Sequence, residues 1–183
     1  MSLLTKINPM FLIDFYKAGH IYQYPKGTEV IYSNLTPRKS RVKGVDYVVV
    51  AGVQYFVIEY LISRFNESFF ERGIDIVVEE YVHLMDRALG PGSVTPEHVH
   101  ALHRLGYLPL ELKALKEGTV APIGVPIVTI KNTKPEFFWL VNYPETVMSQ
   151  VLWRPCTTAT IAYVYRKEFE RHVALTGYDR SFI

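Results

Sequence analysis

The sequence reads as an α+β domain, and three observations lead there. Strand-like and helix-like stretches follow one another in blocks, β then α then β then α, rather than in regular alternation. The hydrophobic period switches at Gly52 from two residues to three or four. The 183 residues also fall short of the roughly 250 that an α/β barrel needs. A single domain is expected over residues 1–183: an opening helix and strand pair in 1–50, helices in 52–106, a small β unit in 108–131 and helices in 144–176. No internal repeat, low-complexity stretch or Ser/Gly linker divides it.

Asn8-Pro9 provides an N-cap and first helical residue for a short opening helix. Glu29–Leu35 alternates as a strand, and Tyr47–Val50 is a second, rich in β-branched residues. Joined by the basic turn Pro37–Gly44, the two are placed to pair as a hairpin. After Gly52, Val53, Phe56, Val57, Tyr60 and Leu61 form one helical stripe, with Gln54, Glu59 and Arg64 off it. A second helix over Val77–Leu89 sets Val77, Tyr81, Leu84 and Ala88 on one face and ends at Gly90-Pro91-Gly92. Thr95-Pro96 restarts a helix, Val99 and Leu102 point inward, and Gly106 closes it. Leu110–Leu115 and Val125–Ile130 are strand-like, with turns at Glu117-Gly118 and Pro122-Ile123-Gly124. Pro144–Leu152 is a short apolar helix stopped before Pro155. Thr157 then caps a long one, with Ile161, Tyr165, Phe169 and Val173 on its buried face and Gly177 at its end.

Composition excludes several classes. A formal net charge of +2 gives no strong field for nucleic acid or an anionic membrane. The apolar fraction of 49% argues against disorder, and the many Tyr and Phe residues suit an aromatic-rich core or interface. Tyr47–Ile62 is interrupted by Gly52, Gln54 and Glu59, so it falls short of the about 20 apolar residues of a bilayer span. Met1–Lys6 has no signal-peptide pattern, and the lone Cys156 fits a reducing compartment. A soluble, cytoplasmic protein is expected.

The candidate chemistry is sparse. His98, His100 and His103, with His83 upstream, suggest a metal site. On a helix, however, His98 and His100 diverge by roughly 200°, and no Cys or paired carboxylate completes a set; a solvated helix face is the better reading. Cys156 reads as a small buried residue rather than a nucleophile. Glu79-Glu80 and Glu168/Glu170 suit helix surfaces. Two features stand out. Asp14-Phe15-Tyr16-Lys17-Ala18-Gly19-His20, followed by Gln23-Tyr24-Pro25, gathers a carboxylate, a phenol, an ammonium and an imidazole within two helical turns. It is either the polar face of an amphipathic helix or part of a site. Arg38–Lys43 is either a solvated loop or an anion clamp, since an Arg fork fits phosphate bidentately.

The first of these features resembles the opening of the nicotinamide phosphoribosyltransferases, with Asp14, Tyr16, Lys17, His20, Gln23, Tyr24 and Pro25 in that family's order. The resemblance continues through Val30–Ser33 to Arg38. It resumes at Gly52-Val53-Gln54-Tyr55, Leu108–Ala114 with Glu117-Gly118, Asn132–Glu136, Trp139-Leu140, Glu145-Thr146 and Ala159-Thr160, and is weakest over Phe65–Leu105. It implies the helical and small β-sheet N-terminal domain of a type II phosphoribosyltransferase, without the α/β barrel. The implied activity is that of a glycosyltransferase of the pentosyl class in NAD biosynthesis. Phosphoribosyl passes from phosphoribosyl pyrophosphate to nicotinamide, with Mg²⁺ serving the pyrophosphate, to give nicotinamide mononucleotide. The resemblance further implies a homodimer in which this region of one subunit reaches the barrel of the other.

On the same basis Tyr16 stacks on the nicotinamide ring, Asp14 lines the pocket, Arg38 reaches the substrate phosphates, and Lys17 and His20 play supporting roles. The family's His-Asp-Phe-Gly-x-Arg-Gly segment is not found before Ile183, so no catalytic residue and no metal ligand is assigned in this chain. The chain is expected to be inactive alone, as a piece of a longer enzyme, half of a split one, or a remnant. A nicotinate-specific relative and a non-catalytic partner docking on a full-length relative are the alternatives; Gln23-Tyr24-Pro25 favours the nicotinamide branch.

Overall fold

The computed structural model describes residues 7–177 together with Asp179 and Ser181. The chain opens on a 3-10 turn at Pro9–Phe11, where the Asn8 side chain accepts from the Met10 amide. The buried Asn8 amide also donates to the Val77 carbonyl at 3.1 Å. Capping and anchoring are thus one residue's work, as Asn8-Pro9 predicts. A 3-10 helix follows at Phe15–Tyr22.

Among the described residues, five strands form two small antiparallel sheets. Tyr32–Leu35 (β1), Val128–Asn132 (β5) and Leu110–Ala114 (β3) lie in the order β1-β5-β3, and Tyr47–Val49 (β2) pairs with Val120–Pro122 (β4). The expected hairpin between the first two strands therefore does not form. Tyr32 opposes Lys131 on β5, and Val48 opposes Ala121 on β4. The basic loop between them instead crosses from one sheet to the other. Its ends are tied to the 122–124 turn by Gly124 N–H to Pro37 O and Ile123 N–H to Asp46 O, both 2.8 Å. That turn, read from sequence as a connector alone, begins inside β4. On β5, Val128, Ile130 and Asn132 face inward. The buried Asn132 amide is fully employed, donating to Glu29 O and Lys134 O and accepting from Ile31 N–H.

Helices cover the sheets. Residues 53–70 (α1) carry the expected stripe, with Val53, Phe56 and Leu61 buried and Val57 and Tyr60 half-buried. Phe56–Ser63 and Asn66–Phe70 are wound as π-helix, however, so burial continues at Phe65 and Phe69. Ile74–Leu89 (α2) buries Val77, Val78, Tyr81 and Met85. Leu84 is only half-buried and Ala88 exposed, which rotates the buried face from the expected one. Glu97–Leu105 (α3) buries Val99 and Leu102 and ends at Gly106 with φ +80°, a left-handed cap open to glycine at little cost.

Glu145–Thr176 (α4) is one helix, not two, with Pro155 inside it. Proline removes one intrahelical donor and usually breaks a helix. Here the break is avoided by packing. The Pro155 ring lies against Gly52, where an added Cβ would stand 3.0 Å from it. At the next residue Cys156 Sγ accepts from Ala51 N–H and donates to Ala51 O. Thr160 Oγ1 accepts from Val49 N–H and donates to Cys156 O. The expected buried stripe beyond this point is not buried: Ile161, Tyr165 and Phe169 are 45%, 62% and 56% exposed. No described helix is long and apolar enough to cross a membrane.

The core has two lobes. One gathers Phe69, Tyr81, Val99, Leu102, Phe137 and Leu140 around α2 and α3. The other gathers Val50, Phe56, Val128, Leu152 and Cys156 between the sheets, α1 and α4. Leu108 packs against both.

Candidate functional site

In a 3-10 helix side chains three apart line up, and the Phe15–Tyr22 segment sorts itself accordingly. Ala18 and Ile21 pack on the core. Tyr16 and Tyr22 form the outward column, 58% and 53% exposed. Lys17 lies on the third side and is buried at 5%. Eight residues is long for this helix type, and side-chain contacts at both ends hold it. Lys17 Nζ meets Glu145 Oε2 at 2.7 Å. Thr146 Oγ1 accepts from Asp14 N–H and donates to Asp14 Oδ2 at 2.8 Å. At the far end Tyr22 OH donates to Thr95 Oγ1 and accepts from Thr95 N–H. Tyr24 OH accepts from Asn142 Nδ2, and Ser33 Oγ donates to Asn142 Oδ1, which ties the segment to β1.

Tyr16 therefore presents an exposed ring on a fixed base. Its own neighbours are the His20 ring at 5.2 Å, tilted by 53°, and Lys17 Nζ at 5.5 Å from its centroid. Such a platform suits stacking on a flat, polar ring; the ammonium below polarises the phenol's π face. Asp14, exposed, stands at the same end of the helix. Arg38 lies elsewhere, on the loop that crosses between the sheets. It is exposed and is joined to none of Asp14, Tyr16, Lys17 or His20 by a hydrogen bond, ion pair or ring contact. Four of the five sequence-derived site residues thus lie on one short helix or, for Asp14, at its N-cap, and the fifth is a separate cation.

Glu145, Thr146 and Asn142 hold this arrangement. Glu145 and Thr146 were among the residues carrying the family resemblance, but nothing local in the sequence gave them a task. Their partners lie 128 and 132 residues away. No glutamate side chain advertises such a contact.

The solvated helix face expected of the histidines holds for His83, which is exposed, but not for His98 and His103. His98 stands edge-on to Trp139 at 4.8 Å and to Tyr81 at 5.8 Å. Burial lowers its pKa from 6.5 to about 4, against the opposing pull of Glu97. His103 packs on Phe69 and lies 2.9 Å from the Arg72 carbonyl. His100 lines an open trough with Asp75, Glu79, His83 and Asp86. Aromatic neighbours rather than spacing decide these environments. Among the described residues no three His, Cys, Asp or Glu side chains converge as metal ligands. Cys156 is buried, and desolvation raises its pKa, as suits a packed thiol rather than a nucleophile. Glu80, Glu168 and Glu170 pair with Arg72, Arg171 and Arg166 on helix surfaces, as expected.

Comparison with known proteins points the same way as the 14–25 segment. Residues 8–81 match the family described as nicotinamide phosphoribosyltransferase, N-terminal domain. A nicotinamide phosphoribosyltransferase of Acinetobacter baylyi is 49% identical over 94% of this chain, which covers 35% of that protein. One of Mycoplasma genitalium is 30% identical over 93% of this chain and 40% of its own length. The chain thus spans well under half the length of these curated relatives. The crystal structure of human nicotinic acid phosphoribosyltransferase is alike in fold, with a TM-score of 0.59 at 23% identity over 83% of this chain and 27% of that one.

Proposed function

This chain carries the N-terminal region of the nicotinamide phosphoribosyltransferase family, and from that premise we propose that it supplies one wall of a site making nicotinamide mononucleotide. Phosphoribosyl pyrophosphate is the donor and nicotinamide the acceptor, and the reaction class is pentosyl transfer in NAD biosynthesis. The single observation that carries this reading is the exposed Tyr16 ring on its clamped 3-10 helix. Tyr16 stacks on one face of the nicotinamide ring, and Asp14 lines the pocket beside it. Lys17 and His20 support the tyrosine from below and behind. Arg38, which makes no ion pair among the described residues, reaches the phosphates.

The remaining wall is a barrel domain, in the same chain or in a partner subunit of a homodimer. Residues 1–183 act as one N-terminal domain in this reading. Mg²⁺ is required with the pyrophosphate. Among the described residues no three His, Cys, Asp or Glu side chains converge to hold it, and in this reading the substrate's phosphates are its main ligands. The one cysteine, free and buried, is compatible with a cytoplasmic setting.

The test is kinetic, in an assembly that joins this chain to a barrel-bearing partner. Tyr16→Ala should raise the KM for nicotinamide up to about tenfold, since an aromatic pair contributes roughly 0.5–1.5 kcal/mol beyond area burial, and leave that for phosphoribosyl pyrophosphate near its original value. Arg38→Ala should show the opposite selectivity, with loss of a charge-assisted hydrogen bond of about 1.5–3 kcal/mol. Equal losses for both substrates in both variants, tracking a lower melting temperature, would return the two residues to ordinary surface. Nicotinate used in preference to nicotinamide would move the chain to the nicotinate-specific branch. A second reading, a non-catalytic partner docking on a full-length relative, draws on the exposed Ile161, Tyr165 and Phe169 of α4. Binding to such a relative without any change in its turnover would favour it.

A further inference from the structure

Resting on the substrate reading above, we infer that Glu145 and Thr146, in the first turn of α4, are positioning residues for Tyr16. Two independent links join that turn to the tyrosine's own helix, and they bracket it. Thr146 Oγ1 grips Asp14 through both its backbone N–H and its carboxylate, two residues before Tyr16. Glu145 Oε2 takes the ammonium of Lys17, one residue after it, at 2.7 Å.

The Lys17 side chain is 4% exposed while that of Glu145 is 58% exposed, so the pair leads from beneath Tyr16 out to solvent. A buried ammonium needs its partner. The Lys17–Glu145 contact therefore fixes where Lys17 lies, and Lys17 Nζ, 5.5 Å from the Tyr16 centroid, fixes what lies beside the ring. An eight-residue 3-10 helix has weak intrinsic hydrogen bonding. Without these links the segment loses the reason to hold Tyr16 at one angle. The pose of the stacking ring is thereby set from the first turn of α4. Preorganisation of this kind lowers the ordering cost of binding and leaves the chemistry alone.

The experiment uses the whole 183-residue chain with ¹³C-labelled tyrosine rings, the Tyr16 signal being assigned by Tyr16→Phe. Thr146→Val removes one link. The double variant Lys17→Met/Glu145→Gln removes the other without leaving a buried unpaired charge. Each should move the Tyr16 signal towards its unfolded position. Amide exchange across residues 14–22 should accelerate at least tenfold, while the buried Tyr81 and Tyr143 rings stay in place. Thr146→Ser, which keeps the hydroxyl, should restore the original signal. In a barrel-containing active assembly, the same variants should raise the KM for nicotinamide severalfold with kcat and the KM for phosphoribosyl pyrophosphate little changed.

An unmoved Tyr16 signal would overturn the inference, as would all tyrosines shifting together, which is general destabilisation. So would a freed Tyr16 with an unchanged nicotinamide KM in an assembly where Tyr16→Ala does raise it. If Tyr16→Ala itself leaves the nicotinamide KM untouched, the substrate reading fails instead, and the ring signal still decides whether the clamp exists.

Discussion

His98 shows how a single side chain can set the acid limit of this protein. Held against Trp139 and Tyr81, it stays neutral down to about pH 4 in the folded chain, whereas an unfolded histidine gains its proton near 6.5. Its depressed pKa means that the unfolded state binds more protons between those values. Stability is therefore complete above pH 6.5 and is lost progressively as pH falls through that window, on the order of 3 kcal/mol in all. Urea unfolding at pH 7 and pH 4.5 should show this fall, and His98→Phe, which keeps an aromatic ring in the cage, should flatten it. An equal fall in both proteins would place the acid sensitivity elsewhere. Gly52 is a second decisive residue. Its φ of +91° and the Pro155 ring, 3.0 Å from where a Cβ would stand, oppose any side chain. Gly52→Ala should cost roughly 1–3 kcal/mol, from left-handed strain and the contact together. A urea midpoint within error of the parent would show that the strand-to-helix junction yields more readily than its geometry suggests.

At the scale of elements, α4 separates what is local from what is not. Its first half is fixed by partners: Leu152 and Cys156 are buried, and Thr160 and Tyr163 meet Val49 and Tyr47 of β2. Beyond Val164 the helix is held mainly by its own backbone and by surface pairs such as Arg166–Glu170 and Arg171–Glu168, which solvent screening leaves weak. Amide protection should accordingly fall by at least tenfold between residues 152–160 and 166–176, as read by hydrogen exchange. Uniform protection along α4 would mean that the outer half has found a partner, and a concentration dependence would identify it as a second copy. The same helix explains which expectations survived. The α3 cap at Gly106 and the inward Val99 and Leu102 were legible because cap and stripe are local signals. The α4 stripe at Ile161, Tyr165 and Phe169 was legible as a pattern, but a pattern does not say whether anything covers it. Pro155 misled because the contact that tolerates it comes from Gly52, about a hundred residues earlier. Strand partners and the π winding of α1 were likewise decided by tertiary packing. For the candidate site, Asp14, Tyr16, Lys17 and His20 stood out in one short stretch, with their roles implied only by the family resemblance, while the clamp at Glu145 and Thr146 depends on a meeting of distant segments.

At the scale of the whole molecule, the Tyr16 ring lies on the surface rather than within an enclosed site. The apolar crevice between the opening segment, α1 and the start of α4 is lined by side chains such as Leu12, Leu61, Phe65 and Leu140 and offers about 10 Å³, too little for any substrate. Tyr16 faces outward, and among the described residues its one aromatic neighbour is His20. A stacked ring held on one face alone remains half in water, where stacking contributes little and an oxocarbenium-like transfer gains nothing from a dry, preorganised field. The 183-residue chain on its own should therefore give no nicotinamide mononucleotide above background from phosphoribosyl pyrophosphate, nicotinamide and Mg²⁺. It should also bind nicotinamide too weakly to detect at millimolar ligand. Added to a barrel-bearing relative whose own Tyr16 counterpart has been changed to alanine, the chain should bring that relative's raised KM for nicotinamide back down, because it then supplies the missing stacking face in trans. Restoration that disappears when this chain carries Tyr16→Ala would tie the effect to that ring. Substantial turnover by the chain alone would sink the one-wall reading, since it would require a complete catalytic site within these residues.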